Sequence, residues 1–174
     1  MSTITITHRE LLELWNGLPS LANLKGFKLG YAVVRTKIKL RPEIEALEEV
    51  MKPSEDFIEF ERKRTDLCQK FVMKDDKGNS MMDGDLYLFG ENKNEFEAAV
   101  ELLKQEHIVT LEERQKQFVE YIALLKKPIT VEVSQITVED VPFDFEPTVA
   151  QMEVLYYLIS EKVEDQFHAR KYTK

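Results

Sequence analysis

The sequence has little of what usually marks a disulfide framework or a metal site. It contains a single cysteine, Cys68, so no intramolecular disulfide can form and one chain cannot complete a cysteine-based zinc site. Its three histidines, His8, His107 and His168, lie in separate elements, and none has the His-x-x-x-His spacing of a helical zinc site. We therefore expect no bound metal and no cofactor.

Long apolar runs and phosphate-binding loops are also absent. No apolar stretch approaches the roughly 18 residues of a membrane span, and neither G-x-G-x-x-G nor G-x-x-x-x-G-K occurs. The opening "MSTITITHRELLELW" is polar and acidic, so we expect no signal peptide. These observations predict a protein of a reducing cytoplasm, or of a particle assembled there, with no membrane partner.

No catalytic constellation is recognisable in the sequence. Cys68 falls on a helical pattern, where a small buried apolar side chain is the simplest interpretation, although a dyad with His107 could form in space. The segment from Asn79 to Gly90 imitates a calcium loop but lacks the bidentate acid at its twelfth position. We expect a non-enzymatic protein and keep a cysteine-dependent enzyme as an alternative.

Charge is abundant, and it is unevenly distributed. The chain has 24 Lys and Arg against 32 Asp and Glu, which gives a net charge of −8. This balance argues against a nucleic-acid-binding protein, because phosphate contacts need clustered cations. A basic stretch, residues 25–41, nevertheless stands directly before the acid-rich "PEIEALEEVMKPSEDFIEFE".

The apolar pattern predicts a mainly α protein with a small β element, an α+β fold. Apolar residues step by three and four from Leu29 to Met51 and again from Phe96 to Leu125, which indicates long helices. Pro42 is expected to kink the first of them, and Pro53 either bends it or ends it. Between them, a turn at residues 75–79 and a strand at 85–89 predict a flap.

We therefore predict a single domain over residues 1–162. A long antiparallel helical hairpin, about 28–127, stands on a base made of residues 1–27 and 128–162. The strands "TITIT" and "ITVEVSQI" are expected to pair in that base. Thr7 is expected to cap the helix after the first strand in a capping box with Glu10, and a helix that starts near Pro147 closes the base. Residues 163–174 are predicted to form a flexible tail.

The separated charges of the first long helix define the predicted partner-binding residues. The basic stretch is expected to meet either the acidic segment "VEDVPFDFEP" or another molecule, unless it is simply solvated. One ring of the Tyr156-Tyr157 pair could also anchor an interface. The predicted partner-binding residues are Lys28, Arg35, Lys37, Lys39, Arg41, Glu45, Glu48, Glu49, Asp56 and Tyr157.

Several stretches resemble a family of small, mostly helical proteins encoded by phages and prophages, whose function is uncharacterised. "KLGYAVVRTKIKLRPEIEALEE" resembles the family's lysine-rich helix and the acidic helix after it. The family's later elements are resembled, in order, by "KDDKGN", "NEFEAAVELL", "EERQKQFVEYIALL", "ITVEVSQI" and "QMEVLYYLISEK". The whole resemblance covers roughly residues 11–162, and "DLYLFGEN" departs from the pattern.

The resemblance implies a viral origin, in the host bacterial cytoplasm or in the virion. The expected function is a protein-protein interaction protein, a structural accessory or assembly factor of the particle, which binds a viral structural protein or itself. The first alternative is an inhibitor that binds a host protein through acidic helix faces. The second alternative is a nucleic-acid-associated protein that uses residues 25–41.

Overall fold

The computed structural model describes residues 2–22, 24, 26–142 and 146–160. Residue contacts divide the chain into two compact units, which we call unit 1 (Met1–Val50 with Tyr121–Lys174) and unit 2 (Met51–Glu120). The predicted tail, His168 and Lys25 lie outside the described residues.

Within the described residues, the predicted α+β class is confirmed. The strands are β1 (Ser2–Thr7), β2 (Met82–Asp83), β3 (Leu86–Tyr87) and β4 (Pro128–Val133). The helices are α1 (His8–Gly17), α2 (Phe27–Val50), α3 (Glu55–Phe71), α4 (Lys93–Glu106), α5 (Ile108–Leu125) and α6 (Val149–Leu158). The chain passes from one unit to the other twice, directly after α2 and again within α5.

The predicted pairing of the terminal strands in unit 1 is confirmed. β1 and β4 are antiparallel, with Ser2 opposite Val133 and Thr7 opposite Pro128. Thr7 then ends the strand and starts α1 through the expected capping box, because its hydroxyl accepts from the Glu10 N–H while the Glu10 carboxylate accepts from the Thr7 N–H at 2.6 Å. These bonds satisfy backbone donors that a helix start otherwise leaves free.

The core of unit 1 lies between this sheet, α1, α2 and α6. The predicted stripe of α2 is buried as expected, and Thr36 is the fully buried polar residue within it. Its hydroxyl accepts a hydrogen bond from the Ser134 N–H at 3.0 Å, which ties α2 to the end of β4. Such a bond matters because a buried polar group without a partner costs free energy.

Pro53 separates two helices and does not merely bend one. Pro42 lies inside α2, which continues through it to Val50, but α3 begins only at Glu55. Lys52 precedes a proline and so disfavours helical backbone, and the Ser54 hydroxyl caps α3 by accepting from the Phe57 N–H. Both local effects favour a break between the two helices at this position.

In unit 2, α3 and α4 form an antiparallel pair. Phe71, at the end of α3, contacts Phe96 at the start of α4, whereas Phe60 contacts His107 just beyond the end of α4. Between the helices, β2 and β3 form the predicted flap, and Gly78 takes a φ of 82° in the turn before it. This pair is the part of the predicted hairpin that lies within one unit.

The expected single helix from Phe96 to Leu125 was wrong. His107 leaves helical geometry, with φ −111° and ψ 25°, and separates α4 from α5. The three residues that follow it, "IVT", are all β-branched and have modest helix propensity. A break at this position therefore costs less than it would within an alanine- or leucine-rich turn.

The last helix starts slightly later than predicted. Thr148, rather than Pro147, caps α6, and its hydroxyl accepts from the Gln151 N–H in a second capping box. The Gln151 amide also donates to the Ser20 carbonyl at 3.0 Å, which joins α6 to the 3₁₀ turn after α1. Leu155 and Leu158 complete the unit 1 core.

Candidate interaction surface

Helix α2 has an exposed apolar face opposite its buried one. Since each residue advances about 100° around a helix, positions spaced by four, three and four share one face. Four large apolar residues with this spacing are highly exposed, namely Phe27 (86%), Tyr31 (53%), Val34 (57%) and Ile38 (59%). We call this set of residues the α2 stripe. A contiguous apolar row of this kind is typical of a surface that binds a partner.

The stripe begins with an ordered group of aromatic and basic side chains. The Phe27 and Tyr31 rings are nearly parallel, at 12°, with centroids 6.0 Å apart. The Arg35 guanidinium lies over the Tyr31 ring, 5.6 Å from its centroid, and donates to the Tyr31 hydroxyl at 3.4 Å. Two large rings are thus held at the surface without being buried.

An open cleft of about 240 Å³ lies beside this group. It is lined by Phe27, Tyr31, Arg35, Ser134, Gln135 and Asp140, among others. At its edge, Lys28 Nζ donates to Asp140 Oδ1 at 2.7 Å. This hydrogen bond is the main cause that raises the pKa of Lys28 and lowers that of Asp140, and the Thr137 N–H lowers the pKa of Asp140 further.

Several cations of the predicted basic stretch contact acidic or aromatic side chains of the same chain. Besides Lys28 with Asp140, Lys39 Nζ donates to Glu132 on β4 at 2.6 Å and lowers the pKa of that carboxyl. Lys37 lies over the Trp15 ring, 5.2 Å from its centroid. One of the expected alternatives, contact with the acidic segment "VEDVPFDFEP", is therefore observed between Lys28 and Asp140, while Lys28 and Arg41 still present exposed side chains.

The second half of α2 presents the predicted acids. Glu45, Glu48 and Glu49 are exposed. By helical spacing, Arg41, Glu45 and Glu48 continue the line of the stripe from Ile38. Asp56 lies elsewhere, in the first turn of α3 in unit 2. There, the negative charges of Asp56 and Glu55 interact favourably with the positive end of the helix dipole.

Sequence reasoning identified the charges of α2 and missed its apolar stripe. The signal was present, because Phe27, Tyr31, Val34 and Ile38 repeat by four, three and four, half a turn from the core stripe. The two rows together make the first half of α2 apolar on opposite faces. Because the core of unit 1 buries only one of these two rows, the other row stays exposed.

Tyr157 and Tyr156 have different surroundings. Tyr157 packs against the core, and burial is the main cause that raises its pKa. Tyr156 is the exposed ring, at 76%, on the same side of α6 as Val149 and Met152. Of the predicted pair, the ring available to a partner is therefore that of Tyr156.

Of the histidines, the structure describes His8 and His107, and each has neighbours of its own. His107 lies against Phe60, and Lys63 Nζ is 3.3 Å from its Nε2 atom. Cys68 is about two turns of α3 further along. His8 Nδ1 is 2.8 Å from the Lys127 carbonyl oxygen. Nowhere in the described parts of the chain do three or more His, Cys, Asp or Glu side chains gather so that they could hold a metal ion.

Unit 2 has its own exposed apolar row. Ile108, Leu111 and Val119 on α5 line a shallow, mainly apolar groove. Phe118 and Val109 on the same helix are also about half exposed. Exposed apolar residues are thus a property of both units.

Comparison of the chain with protein-family models, with curated proteins and with solved structures gives no match. Among the described residues, no helix combines the length and apolar character that crossing a bilayer requires.

Proposed function

We propose that this chain is a non-enzymatic protein-protein interaction protein that acts as a structural accessory or assembly factor of a virus particle. The observation that carries the proposal is the α2 stripe, four large apolar side chains exposed in one row. Covering such a row removes apolar surface from water, which is worth about 25 cal/mol per Å² before the costs of association.

Two further features support binding to protein. The stripe is flanked by charges of both signs on one helix, which favours a partner with a defined pattern of charge. The Phe27 and Tyr31 rings are already stacked, so little side-chain freedom is lost when they are covered. The viral setting, in the host cytoplasm or the virion, comes from the resemblance of residues 11–162 to phage-encoded proteins.

The test is affinity capture from infected-cell lysate with the tagged full chain, followed by mass spectrometry. We expect capsid, portal or tail proteins to be recovered by the wild type and lost with the double substitution Val34→Glu and Ile38→Glu. Ile58→Glu is the matched control, because Ile58 is an equally exposed isoleucine on α3, at 55%. If the wild type and the double variant recover these proteins equally, the α2 stripe is not the surface that binds them.

The exposed acids of α2 favour a second candidate function. Glu45 and Glu48 present carboxylates in a row that could occupy a basic surface of a host protein. Under that function, the chain is an inhibitor of a host enzyme. Recovery of a host nuclease, polymerase or defence protein, abolished by Glu45→Lys with Glu48→Lys, would select it over the particle-associated function.

A further inference from the structure

We propose that β1 is a homodimer interface, in which two copies of the chain pair their β1 strands antiparallel and form one continuous four-stranded sheet. The inference goes beyond the proposed function, because it concerns a surface other than the α2 stripe. It depends on three observations: the backbone groups that β1 leaves unpaired, the uncharged sequence of the strand, and the register in which two such strands satisfy each other.

One edge of β1 pairs with β4, and its other edge has no partner strand among the described residues. In an antiparallel ladder, alternate residues direct their N–H and C=O groups toward the partner strand, and the residues between them direct theirs away. The His8 N–H, one step beyond the end of β1, donates to the Lys127 carbonyl at 3.1 Å. The even-numbered residues of β1 therefore face β4, and Thr3, Thr5 and Thr7 direct their backbone groups away from it.

Two other features of the ladder agree with this assignment. Pro128, which has no N–H, lies opposite Thr7, at a position where the ladder requires no donor. The hydroxyl oxygens of Thr5 and Thr130 are 3.0 Å apart. This closeness is expected of a pair that is not joined by hydrogen bonds, because the strands bring the side chains of such pairs closest together.

Thr7 uses its outward groups within its own chain. Its N–H donates to the Glu10 carboxylate at 2.6 Å, and as the N-cap residue it supplies the first carbonyl acceptor of α1. The edge therefore presents the N–H and C=O groups of Thr3 and Thr5, which have no partner within the described chain. Because these groups have the spacing of a strand, the partner that matches them is another extended backbone.

The sequence of β1 lacks the features that usually keep an edge strand from pairing. Natural edge strands carry charges, prolines or bulges that block the approach of a second strand. β1, with the sequence "STITIT", has none of these, and its register against β4 is unbroken. β4 has both Pro128 and Glu132, and it lies against α2. Of the two edges of this sheet, that of β1 is therefore the one open to a further strand.

A second copy of the chain satisfies this edge in a register centred on Ile4. Antiparallel pairing then sets Thr3 of each copy against Thr5 of the other, so that the outward donors of each edge meet the outward acceptors of the other. A centre at Thr5 would instead set Thr3 against Thr7, whose N–H is already bonded to Glu10. The two strands are related by a two-fold axis, as in a closed symmetric dimer.

The side chains also match in this register. A two-fold axis at right angles to the sheet sets Ile4 opposite Ile4 of the second copy on the core face, and Thr3 opposite Thr5 on the exposed face. Such β-branched pairs stabilise antiparallel sheets. Both strands are already extended in the free chain, so the dimer orders no flexible segment, which favours a second copy over an unstructured peptide.

The first measurement is the mass of the purified full chain by sedimentation equilibrium over a wide range of concentration. We expect a reversible dimer whose dissociation constant changes little with salt, because the paired edges carry no charge. Thr5→Pro should weaken it roughly ten- to a hundredfold, because proline removes one outward N–H donor from each copy. Thr130→Val is the matched control, since it also removes the hydroxyl contact between Thr5 and Thr130 but leaves the edge of β1 intact.

Disulfide trapping tests the register. In a chain whose own cysteine is replaced by Cys68→Ser, Ile4→Cys places two thiols directly across the two-fold axis, so oxidation with diamide should cross-link the dimer. Thr3→Cys places the two thiols two residues out of register, so this variant should not cross-link. Circular dichroism shows that each variant is folded.

A wild type that stays monomeric at every concentration would overturn the inference, and so would a dimer that Thr5→Pro leaves equally tight. Cross-linking through Thr3→Cys in place of Ile4→Cys would overturn the register. If the wild type is monomeric and Thr5→Pro abolishes the capture of phage proteins, the edge binds a strand of another protein and not a second copy. Because Thr5→Pro and the double substitution Val34→Glu and Ile38→Glu change different surfaces, a failed dimer and a failed proposed function are distinguishable.

Discussion

Asp140 accepts hydrogen bonds from two sides. Lys28 Nζ reaches one of its oxygens at 2.7 Å, and the N–H and hydroxyl of Thr137 reach the other at 3.1 and 3.0 Å. All three donors favour the charged carboxylate, with Lys28 as the largest effect, so the pKa of Asp140 lies below its ordinary value of 3.8. The contact joins the start of α2 to the segment after β4, next to the cleft.

This contact makes unit 1 sensitive to acid. Because the folded pKa of Asp140 is lowered, its contribution to stability is fully present above the ordinary pKa and is lost as pH falls through the folded value. Asp140→Asn should therefore lower the melting temperature at neutral pH and flatten its decline below about pH 4. Glu139→Gln at the exposed neighbouring position is the control, and identical acid profiles for wild type and Asp140→Asn would contradict the expectation.

Gly17 is required by packing at the end of α1. A Cβ atom added there would collide with the Val154 side chain of α6. Gly17→Ala should destabilise the protein by about 1–3 kcal/mol, as overpacking of a core does. Gly30→Ala is the control, because nothing lies within 4 Å of its added Cβ and alanine favours a helix by about 1 kcal/mol.

Val154→Ala should suppress the Gly17→Ala defect. It removes the methyl group that the new Cβ would meet, so the free energies of urea unfolding of the two single variants should not add in the double variant. We expect a coupling of about 0.5–3 kcal/mol. Strictly additive values would show that α1 and α6 adjust their spacing instead.

At the scale of elements, the sequence predicted what local chemistry and apolar period decide. The capping box of Thr7 and Glu10, the pairing of β1 with β4 and the buried stripe of α2 were all predicted, because each depends on neighbours or on a regular repeat. The ends of the long helices were less predictable. Whether Pro53 bends or breaks a helix depends on the tertiary contacts of the residues around it.

Those contacts come from α5 within unit 2. Arg114 donates to the Met51 carbonyl at 2.9 Å and lies over the Phe57 ring, 5.2 Å from its centroid. Gln117 donates to the Lys52 carbonyl at 3.2 Å. Since a helix end leaves carbonyls without partners, these side chains stabilise the break between α2 and α3. In the sequence, Arg114 is only a polar residue on an apolar stripe.

Arg114→Met should therefore loosen the segment from Met51 to Phe57. It keeps the length of the side chain but removes the donor and the charge, at a cost of about 1–2 kcal/mol. Hydrogen exchange should become faster in this segment, and a similar substitution of the exposed Lys116 should not affect it. If hydrogen exchange in this segment is unchanged, Pro53 and the Ser54 cap alone stabilise the break between α2 and α3.

The sequence predicted the charged residues of the candidate site but not its apolar stripe. Lys28, Arg35, Arg41, Glu45 and Glu48 were singled out because charge segregation is visible in a linear sequence. The stripe was not, since the residues of two opposite apolar rows look alike until the fold buries one of them. Which of the two tyrosines, Tyr156 or Tyr157, is exposed was likewise decided by packing.

At the scale of the whole molecule, the buried apolar side chains are concentrated in unit 1. The main core cluster, which includes Leu11, Leu29, Val133 and Leu155, belongs entirely to that unit. In unit 2, all of whose residues the structure describes, only Phe60, Val72 and Leu103 are buried. Because burial of apolar area is the dominant stabilising term, unit 2 should open at a lower free energy than unit 1.

Native-state hydrogen exchange tests this difference, with one core truncation in each unit. Leu103→Ala should accelerate exchange of the amides of unit 2 and leave the slowest amides of unit 1 unchanged. Leu155→Ala, which removes a fully buried side chain at a cost of about 2–5 kcal/mol, should accelerate those slowest amides. If both variants instead shift all slow amides by one common amount, the chain unfolds as a single cooperative unit. With the expected outcome, the α2 stripe belongs to the more stable unit, where a binding surface keeps its geometry while unit 2 opens and closes.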